Sequence, residues 1–173
     1  MQPNIFKRLY PVILVTFIVL VSAVLLSFTD DITRGKIAEQ EVAQVRGVLE
    51  EMFPNMTSLT LENDIYAVLE NDTTIGYGFV AVGKGYGGEI SILVGLENKT
   101  TVKGIVIISQ DETPGLGTRV AEEPFTSQFA GVDIDDVRLD GEIDAITGST
   151  ISSEAIVEAV RNSALEKAES LGE

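Results

Sequence analysis

Two short stretches of the chain carry residues whose types and spacing could do chemistry. The first, DETPGLGTRV at 111–120, places Leu116 between two glycines, with an acid before it and a base after it. The second, DAITGST at 144–150, gathers hydroxyl groups around Gly148, where an apparent strand passes into a helix. The start of a helix presents unpaired backbone N–H groups and the positive end of the helix dipole. A phosphate group would therefore bind well at the second stretch.

Each stretch also has a purely structural interpretation. Ser and Thr favour helix N-caps and Gly suits tight turns, so residues 144–150 could simply begin the helix. In the first stretch, Pro114 and Gly115 fit a type II turn, with Gly supplying the positive φ. Leu116 could cover a flat ring, or it could fill the local core, as most Leu side chains do. The residues by themselves leave both alternatives open.

Composition removes several classes of chemistry. The 173 residues include 27 acids and 12 bases but neither Cys nor His. Iron–sulfur ligation, Cys/His zinc sites, thiol nucleophiles and Ser-His-Asp hydrolysis are thereby excluded. The acidic balance argues against a nucleic-acid partner, because no basic patch is available to neutralise phosphates. Any redox chemistry must come from a bound organic cofactor, and we expect no metal site and no separate catalytic residues.

Residues 9–29 contain no charge and, as a helix, are long enough to cross the hydrocarbon core of a bilayer. Lys7 and Arg8 precede this segment, and acids begin at Asp30. The positive-inside rule then predicts a cytoplasmic N-terminus and an extracytoplasmic C-terminal part. A cleaved signal peptide is the alternative. The length of the segment and the lack of an A-x-A-like cleavage site favour a retained single-pass anchor.

The elements that must position the two stretches are predicted by their periodicity. Apolar residues at helical spacing predict a helix from Gly35 to Phe53, ended by Pro54. Runs rich in β-branched and aromatic residues predict strands, at 65–69, 75–82, 90–96, 101–109 and, more briefly, 138–142. A last helix runs from Ile151 to about Ala168, with an apolar face made of Ile151, Ala155, Ile156, Ala159, Val160 and Ala164. The fold class is therefore α+β, with a mainly antiparallel twisted sheet flanked by helices, plus one N-terminal transmembrane helix.

The two stretches together carry a family resemblance. GYGGEISILVGLENKTTVKGIVIISQDETPGLG, followed later by DAITGSTISS, resembles the FMN-binding domain of the G subunit of Rnf-type ion-translocating electron-transport complexes. The C subunit of Na⁺-translocating NADH:quinone oxidoreductases shares that domain. The likeness runs from about Gly76 to Val160, and the short chain favours the Rnf type. It implies an N-terminal tip and transmembrane anchor at 1–29, a membrane-proximal helix at 30–60 and an extracytoplasmic FMN-binding domain at 61–173.

The resemblance also implies a covalent cofactor. In that family, a phosphoester joins FMN to the last Thr of a D-x-x-[ST]-G-A-T motif, which is similar to the segment ending at Thr150. A Mg²⁺-dependent flavin transferase recognises the motif, which here begins at Asp144. The other FMN-contacting residues that the resemblance implies are Glu112, Thr113, Leu116, Gly117, Thr147, Gly148 and Ser149.

Two positions depart from the family pattern. Ser149 stands where the family usually has Ala, so two candidate hydroxyl groups lie side by side. Gln110 stands where the family often has His. Gln can form hydrogen bonds but cannot titrate, so we expect no proton transfer by the side chain at this position.

The resemblance implies an electron-carrying flavoprotein subunit of a membrane-bound, ion-translocating oxidoreductase complex, with the other membrane subunits as partners. Such a chain is part of a translocase and not a complete active site. One alternative is a membrane-anchored binding or assembly module on the outer side with no redox role. Another is an FMN domain that serves a different extracytoplasmic reductase.

Overall fold

The computed structural model describes residues 5–171, and for residues 5–9 and 27–41 it describes the backbone alone. The chain divides into two units, Met1–Gln44 and Val45–Glu173. Helix α1, Ile5–Met52, includes all of the predicted helical span at 9–29 and all but the last residue of the helix predicted from Gly35 to Phe53. It ends shortly before Pro54, as predicted, because a proline disfavours helical conformation in the residue before it.

Apolar side chains of the first unit are exposed throughout residues 10–26, for example 63% for Phe17 and 72% for Leu26. Among the helical residues with described side chains, none forms a stretch with both the length and the hydropathy that crossing a bilayer requires. The predicted anchor at 9–29 extends past these residues, since the side chains of residues 9 and 27–29 lie outside the described part. The side chains of residues 30–41, in the predicted membrane-proximal helix, also lie outside the described part.

The second unit is built on a five-stranded antiparallel meander in which each strand pairs with the next along the chain. Its strands are β1 Ser58–Glu62, β2 Ile65–Glu70, β3 Thr73–Lys84, β4 Glu89–Leu96 and β5 Val102–Gln110. The first two hairpins turn through Asn63-Asp64 and Asn71-Asp72, and all four residues have positive φ. Asn and Asp tolerate this conformation, which two-residue hairpin loops require.

The segment after the sheet is built from short helices and one long one. A 3-10 turn at Gly117–Ala121, α2 at Glu123–Thr126 and a second 3-10 turn at Ser127–Phe129 follow β5. Helix α3, Thr150–Ser170, then packs on one face of the sheet. Fully buried side chains of the strands and α3 form the main core there, among them Phe79, Ile92, Ile156 and Val160.

The opposite face of the sheet has a smaller core. Val45, Leu49 and Phe53, from the end of α1 and the residue after it, pack with Val68 of β2 and Leu93 of β4. All five side chains are buried. Both faces of the meander are therefore covered at its centre, which leaves its ends and loops to form a site.

The predicted α+β class and antiparallel sheet are confirmed, with three local corrections. Strand β1 was not predicted; it is a five-residue edge strand with mostly exposed side chains. The predicted strand at 138–142 is wrong, because the structure has only an isolated bridge between Leu139 and Ile143 and a positive φ at Asp140. Ile151 was assigned to the buried face of the last helix but is 54% exposed.

Candidate functional site

The two chemically unusual stretches meet in one cleft of about 440 Å³. The turn after β5 forms one wall and the start of α3 forms the other. From the predicted set, the lining residues are Glu112, Thr113, Leu116, Gly117, Gly148, Ser149 and Thr150. Asp144 and Thr147 are exposed but do not line the cleft. The two walls are far apart along the chain, so the fold alone brings them together.

The turn that carries Leu116 has the predicted geometry. The Leu116 N–H donates to the Thr113 carbonyl oxygen over 3.2 Å, and Gly115 has φ +77°, as a type II turn requires at that position. The side chain of Leu116 is 53% exposed and does not plug the core. The apolar surface that it adds to the cleft is suited to a flat ring system.

A buried carboxylate forms part of the same wall. Glu112 is 6% exposed, and its Oε1 accepts a hydrogen bond of 3.2 Å from the Gly87 N–H. The carboxylate lies against the backbone of Gly85 and Gly117, where any Cβ would collide with it. Within the described residues, Glu112 forms no salt bridge, and the base of the same stretch, Arg119, is not buried. The glycines therefore serve close packing around Glu112 rather than flexibility.

The second wall distinguishes the two adjacent hydroxyl groups. Ser149 is 5% exposed, and its Oγ donates a 2.6 Å hydrogen bond to the Leu116 carbonyl oxygen across the cleft. Thr150 is the first residue of α3 and is exposed. Gly148 has φ +86°, which lets the chain turn tightly into the helix. The hydroxyl of Ser149 is thus occupied, whereas Thr150 is open to solvent in the cleft.

The structure does not show the side-chain cap that the structural interpretation of residues 144–150 predicts. Ser149 is the N-cap residue of α3, but its side chain makes no capping hydrogen bond. The backbone N–H groups of the first turn of a helix have no partner within the helix. They are therefore available to an anion at the end of the cleft.

Gln110 lies at the end of β5, beside the cleft wall but not in its lining. Its Nε2 donates to the Thr118 carbonyl oxygen at 3.5 Å. Its Oε1 is buried and, within the described part of the chain, has no hydrogen-bond partner. Gln110 therefore contributes a polar group below the turn and no titratable one.

Two lining residues were not predicted, Tyr86 and Ile151, whereas Ser152 belongs to the group of hydroxyl residues that the sequence places at the start of the last helix. Tyr86 is 74% exposed and lies in the glycine-rich turn between β3 and β4. A large aromatic residue among glycines was a usable signal for a site. Ile151 gave a misleading signal, because it has the spacing of the core face and yet lies in the first turn, beyond the sheet.

The residues present fit FMN. A cleft of this volume is typical of small-molecule sites, which usually measure about 300–1,000 Å³. Exposed apolar side chains of Tyr86, Leu116 and Ile151 offer surfaces for a ring system, and the N-terminus of α3 offers N–H groups for a phosphate. No cluster of acidic side chains that could hold a metal ion occurs among the residues that the structure describes.

Comparison with known proteins identifies the family. An FMN-binding domain family matches residues 85–165. The G subunit of the ion-translocating oxidoreductase complex of Vibrio vulnificus (strain YJ016) is 31% identical over 166 residues, covering 80% of this chain and 79% of the relative. This chain belongs to the family of G subunits of ion-translocating oxidoreductase complexes.

A second member of this family has a shorter match at higher identity. The G subunit of the proton-translocating ferredoxin:NAD(+) oxidoreductase complex of Clostridium ljungdahlii is 36% identical over 106 residues, covering 58% of this chain and 57% of the relative. The resemblance stated from the two motifs is therefore confirmed. The chain is part of a translocase and carries an FMN-binding domain.

Solved structures share the fold of this G subunit. The C subunit of the Na⁺-translocating NADH-quinone reductase of Parabacteroides distasonis matches with a TM-score of 0.50 and 24% identity, over 60% of this chain and 61% of that one. The Shewanella oneidensis NqrC structure matches with a TM-score of 0.51 and 18% identity, over 68% and 70%. At these identities the likeness concerns the fold.

Proposed function

We propose that this G subunit carries electrons through one FMN that is joined by a phosphoester to Oγ1 of Thr150. The observation that supports this assignment is the contrast between two neighbouring hydroxyl groups in one cleft. Ser149 is buried and hydrogen-bonded to Leu116, whereas Thr150 is exposed and makes no side-chain hydrogen bond within the described residues. Only the second hydroxyl is open to a transferase.

The attachment requires an activated flavin, because FMN itself has no good leaving group on its phosphorus. In the proposed reaction, Thr150 Oγ1 forms a bond to the flavin-side phosphorus of flavin adenine dinucleotide. The phosphoanhydride bond breaks, AMP leaves, and the hydroxyl proton passes to a base on a Mg²⁺-dependent flavin transferase. No redox change occurs in this step, so the chain needs only to present the hydroxyl.

Each wall of the cleft has a role toward the attached cofactor. The exposed side chains of Leu116, Ile151 and Tyr86 would contact the ring system, and the N-terminus of α3 would stabilise the remaining phosphate charge. Bound FMN passes one or two electrons, while the protein supplies position and electrostatics. The chain has no Cys or His, so a tethered flavin accounts for a redox role.

The membrane location belongs to the same proposal. Exposed apolar side chains throughout residues 10–26 and the uncharged segment 9–29 support an N-terminal anchor. Lys7 and Arg8 before this segment favour a cytoplasmic N-terminus and an extracytoplasmic FMN domain. Partners would be the other membrane subunits of the complex, with the flavin transferase acting during maturation.

The covalent assignment is tested by coexpressing the chain with a flavin transferase and recording in-gel flavin fluorescence after denaturation. Thr150→Val removes the acceptor oxygen but keeps the branched shape, and we expect no fluorescence. Ser149→Ala is the matched control and should stay fluorescent, with an intact mass that includes one FMN phosphoester. A fluorescent Thr150→Val combined with a dark Ser149→Ala would move the attachment to Ser149, and a dark parent would remove the covalent proposal.

The topology is tested separately in spheroplasts or an equivalent cell preparation, in which the cytoplasmic membrane is sealed and its outer side is accessible to a protease. A protease added outside should digest the FMN domain. Protection until lysis would reverse the orientation. A mature protein that begins near Asp30 would show that residues 9–29 are a signal peptide.

A further inference from the structure

The amide of Gln128 forms a clamp on the backbone of Asp144. Its Oε1 accepts a 2.7 Å hydrogen bond from the Asp144 N–H, and its Nε2 donates to the Asp144 carbonyl oxygen at 3.3 Å. The same Nε2 donates to the Pro124 carbonyl oxygen at 3.0 Å. One side chain thus binds both polar backbone groups of the residue that begins the attachment segment.

The backbone around Gln128 is fixed by packing in the main core. Gln128 lies in the 3-10 turn Ser127–Phe129, between the fully buried side chains of Phe125 and Phe129. These two rings pack edge to face, with centroids 5.5 Å apart and an interplanar angle of 73°. Because both neighbours are fixed in the main core, the position of the Gln128 backbone is determined independently of the 144–150 segment.

Further along, the attachment segment is held at two more points. The Ile146 N–H donates to Ser153 Oγ at 3.2 Å, and Ser149 Oγ binds the Leu116 carbonyl oxygen. Between and beyond these points, the side chains of Asp144, Thr147 and Thr150 make no hydrogen bond within the described residues. The segment has a defined backbone and presents these polar side chains at every third position.

We propose that Gln128 is a positioning residue for flavin attachment: by holding the Asp144 backbone, it gives residues 144–150 the shape that the flavin transferase engages. This inference rests on the proposed attachment at Thr150. Gln128 itself does not line the cleft and takes no part in the transfer. A segment already ordered before binding loses less conformational entropy when the transferase docks. The effect of Gln128 should therefore fall on docking and not on the transfer step.

The test measures initial rates of flavinylation of the full apo chain by the transferase with Mg²⁺ and flavin adenine dinucleotide, over a range of chain concentrations. Gln128→Met keeps the length of the side chain and removes the three hydrogen bonds. We expect its KM as a protein substrate to rise about tenfold, the equivalent of ordering one or two residues, while kcat stays within about twofold. Ser127→Ala, a neighbour on the same turn, is the matched control and should behave like the parent.

Two further readouts separate positioning from general damage. Hydrogen exchange of the apo chain should accelerate at Asp144 in Gln128→Met but remain unchanged in strands β3 and β4, and the flavinylated product should have the parent's absorption spectrum. A parent-like KM in Gln128→Met, or a loss confined to kcat with faster exchange throughout the sheet, would overturn the inference and leave the Thr150 proposal intact. A parent chain that takes no flavin would contradict both.

Discussion

The two walls of the cleft are held in place by different means. The wall at 111–117 depends on close packing, since the Glu112 carboxylate and the backbone of Asp111 lie against Gly85, Gly87 and Gly117. The wall at 144–150 depends on hydrogen bonds from side chains to backbone, given by Gln128, Ser149 and Ser153. The first should therefore be sensitive to added volume and the second to lost donors and acceptors. Substitutions in each wall test this difference through the free energy of unfolding of the full apo chain, measured with denaturant.

Added volume at the first wall should have the largest effect. A Cβ at position 87 would collide with the Asp111 carbonyl oxygen and approach the Glu112 Cα to 3.1 Å. Neither atom can rotate away, so Gly87→Ala should lower the free energy of unfolding by about 3 kcal/mol. Gly47→Ala is the control, since a Cβ there meets nothing within 4 Å and should stabilise the helix slightly. Equal stability of the two variants would show that the first wall is loosely packed.

A lost donor at the second wall should have an intermediate effect. Ser149→Ala removes the 2.6 Å hydrogen bond to the Leu116 carbonyl oxygen, which keeps only the 3.1 Å hydrogen bond from the Arg119 N–H. We expect a loss of about 1–1.5 kcal/mol, the upper part of the range for the net contribution of one hydrogen bond. Flavin attachment should continue, because Thr150 is unchanged. An unaltered denaturation midpoint would mean that this hydrogen bond does not join the walls.

Truncation of the exposed apolar side chain between the walls should have a smaller effect. Leu116 is 53% exposed, so Leu116→Ala should lower the free energy of unfolding by about 1 kcal/mol or less. Leu93→Ala, in the fully buried second core, is the control and should lose about 2–5 kcal/mol. In the flavinylated protein, Leu116→Ala should shift the flavin absorption spectrum. A core-like loss of stability together with an unchanged spectrum would place Leu116 outside the flavin contact.

The smallest effect on stability is expected at the proposed acceptor. Thr150 is exposed and its side chain makes no hydrogen bond within the described residues, so Thr150→Val should change the free energy of unfolding by no more than about 0.5 kcal/mol. The same variant should lose covalent flavin completely. A large loss of stability would instead assign Thr150 a structural role in the second wall.

Periodicity predicted most of the fold because most of it is built from regular elements with buried faces. Strands β2 to β5 and helix α3 follow that rule. Strand β1 does not follow the rule, because an exposed edge strand buries few side chains and so needs no alternation of apolar residues. The segment 138–142 does not follow it either, because its isolated bridge is too short to produce a periodic pattern.

The candidate site was only partly predictable for a related reason. The composition of the two stretches marked Leu116, Ser149 and Thr150, but nothing in the sequence indicated which hydroxyl would be buried. The hydrogen bonds of Ser149 to Leu116 and of Gln128 to Asp144 join residues far apart in the chain. Such pairings arise from the tertiary fold, and the local pattern around each residue does not contain them.

The meander has a consequence for the order in which the protein matures. Each strand pairs with its neighbour along the chain, so the sheet can assemble progressively as the polypeptide leaves the ribosome or translocon. The wall at 111–117 follows the last strand, but the second wall takes shape only when α3, the final element described, packs on the sheet at Gly83. A chain in which α3 has not yet packed would expose Thr150 before the cleft around it has formed. If the flavin is attached at Thr150 as proposed, its loading would depend on completion of the fold, and a bound flavin would mark chains in which the second wall has formed.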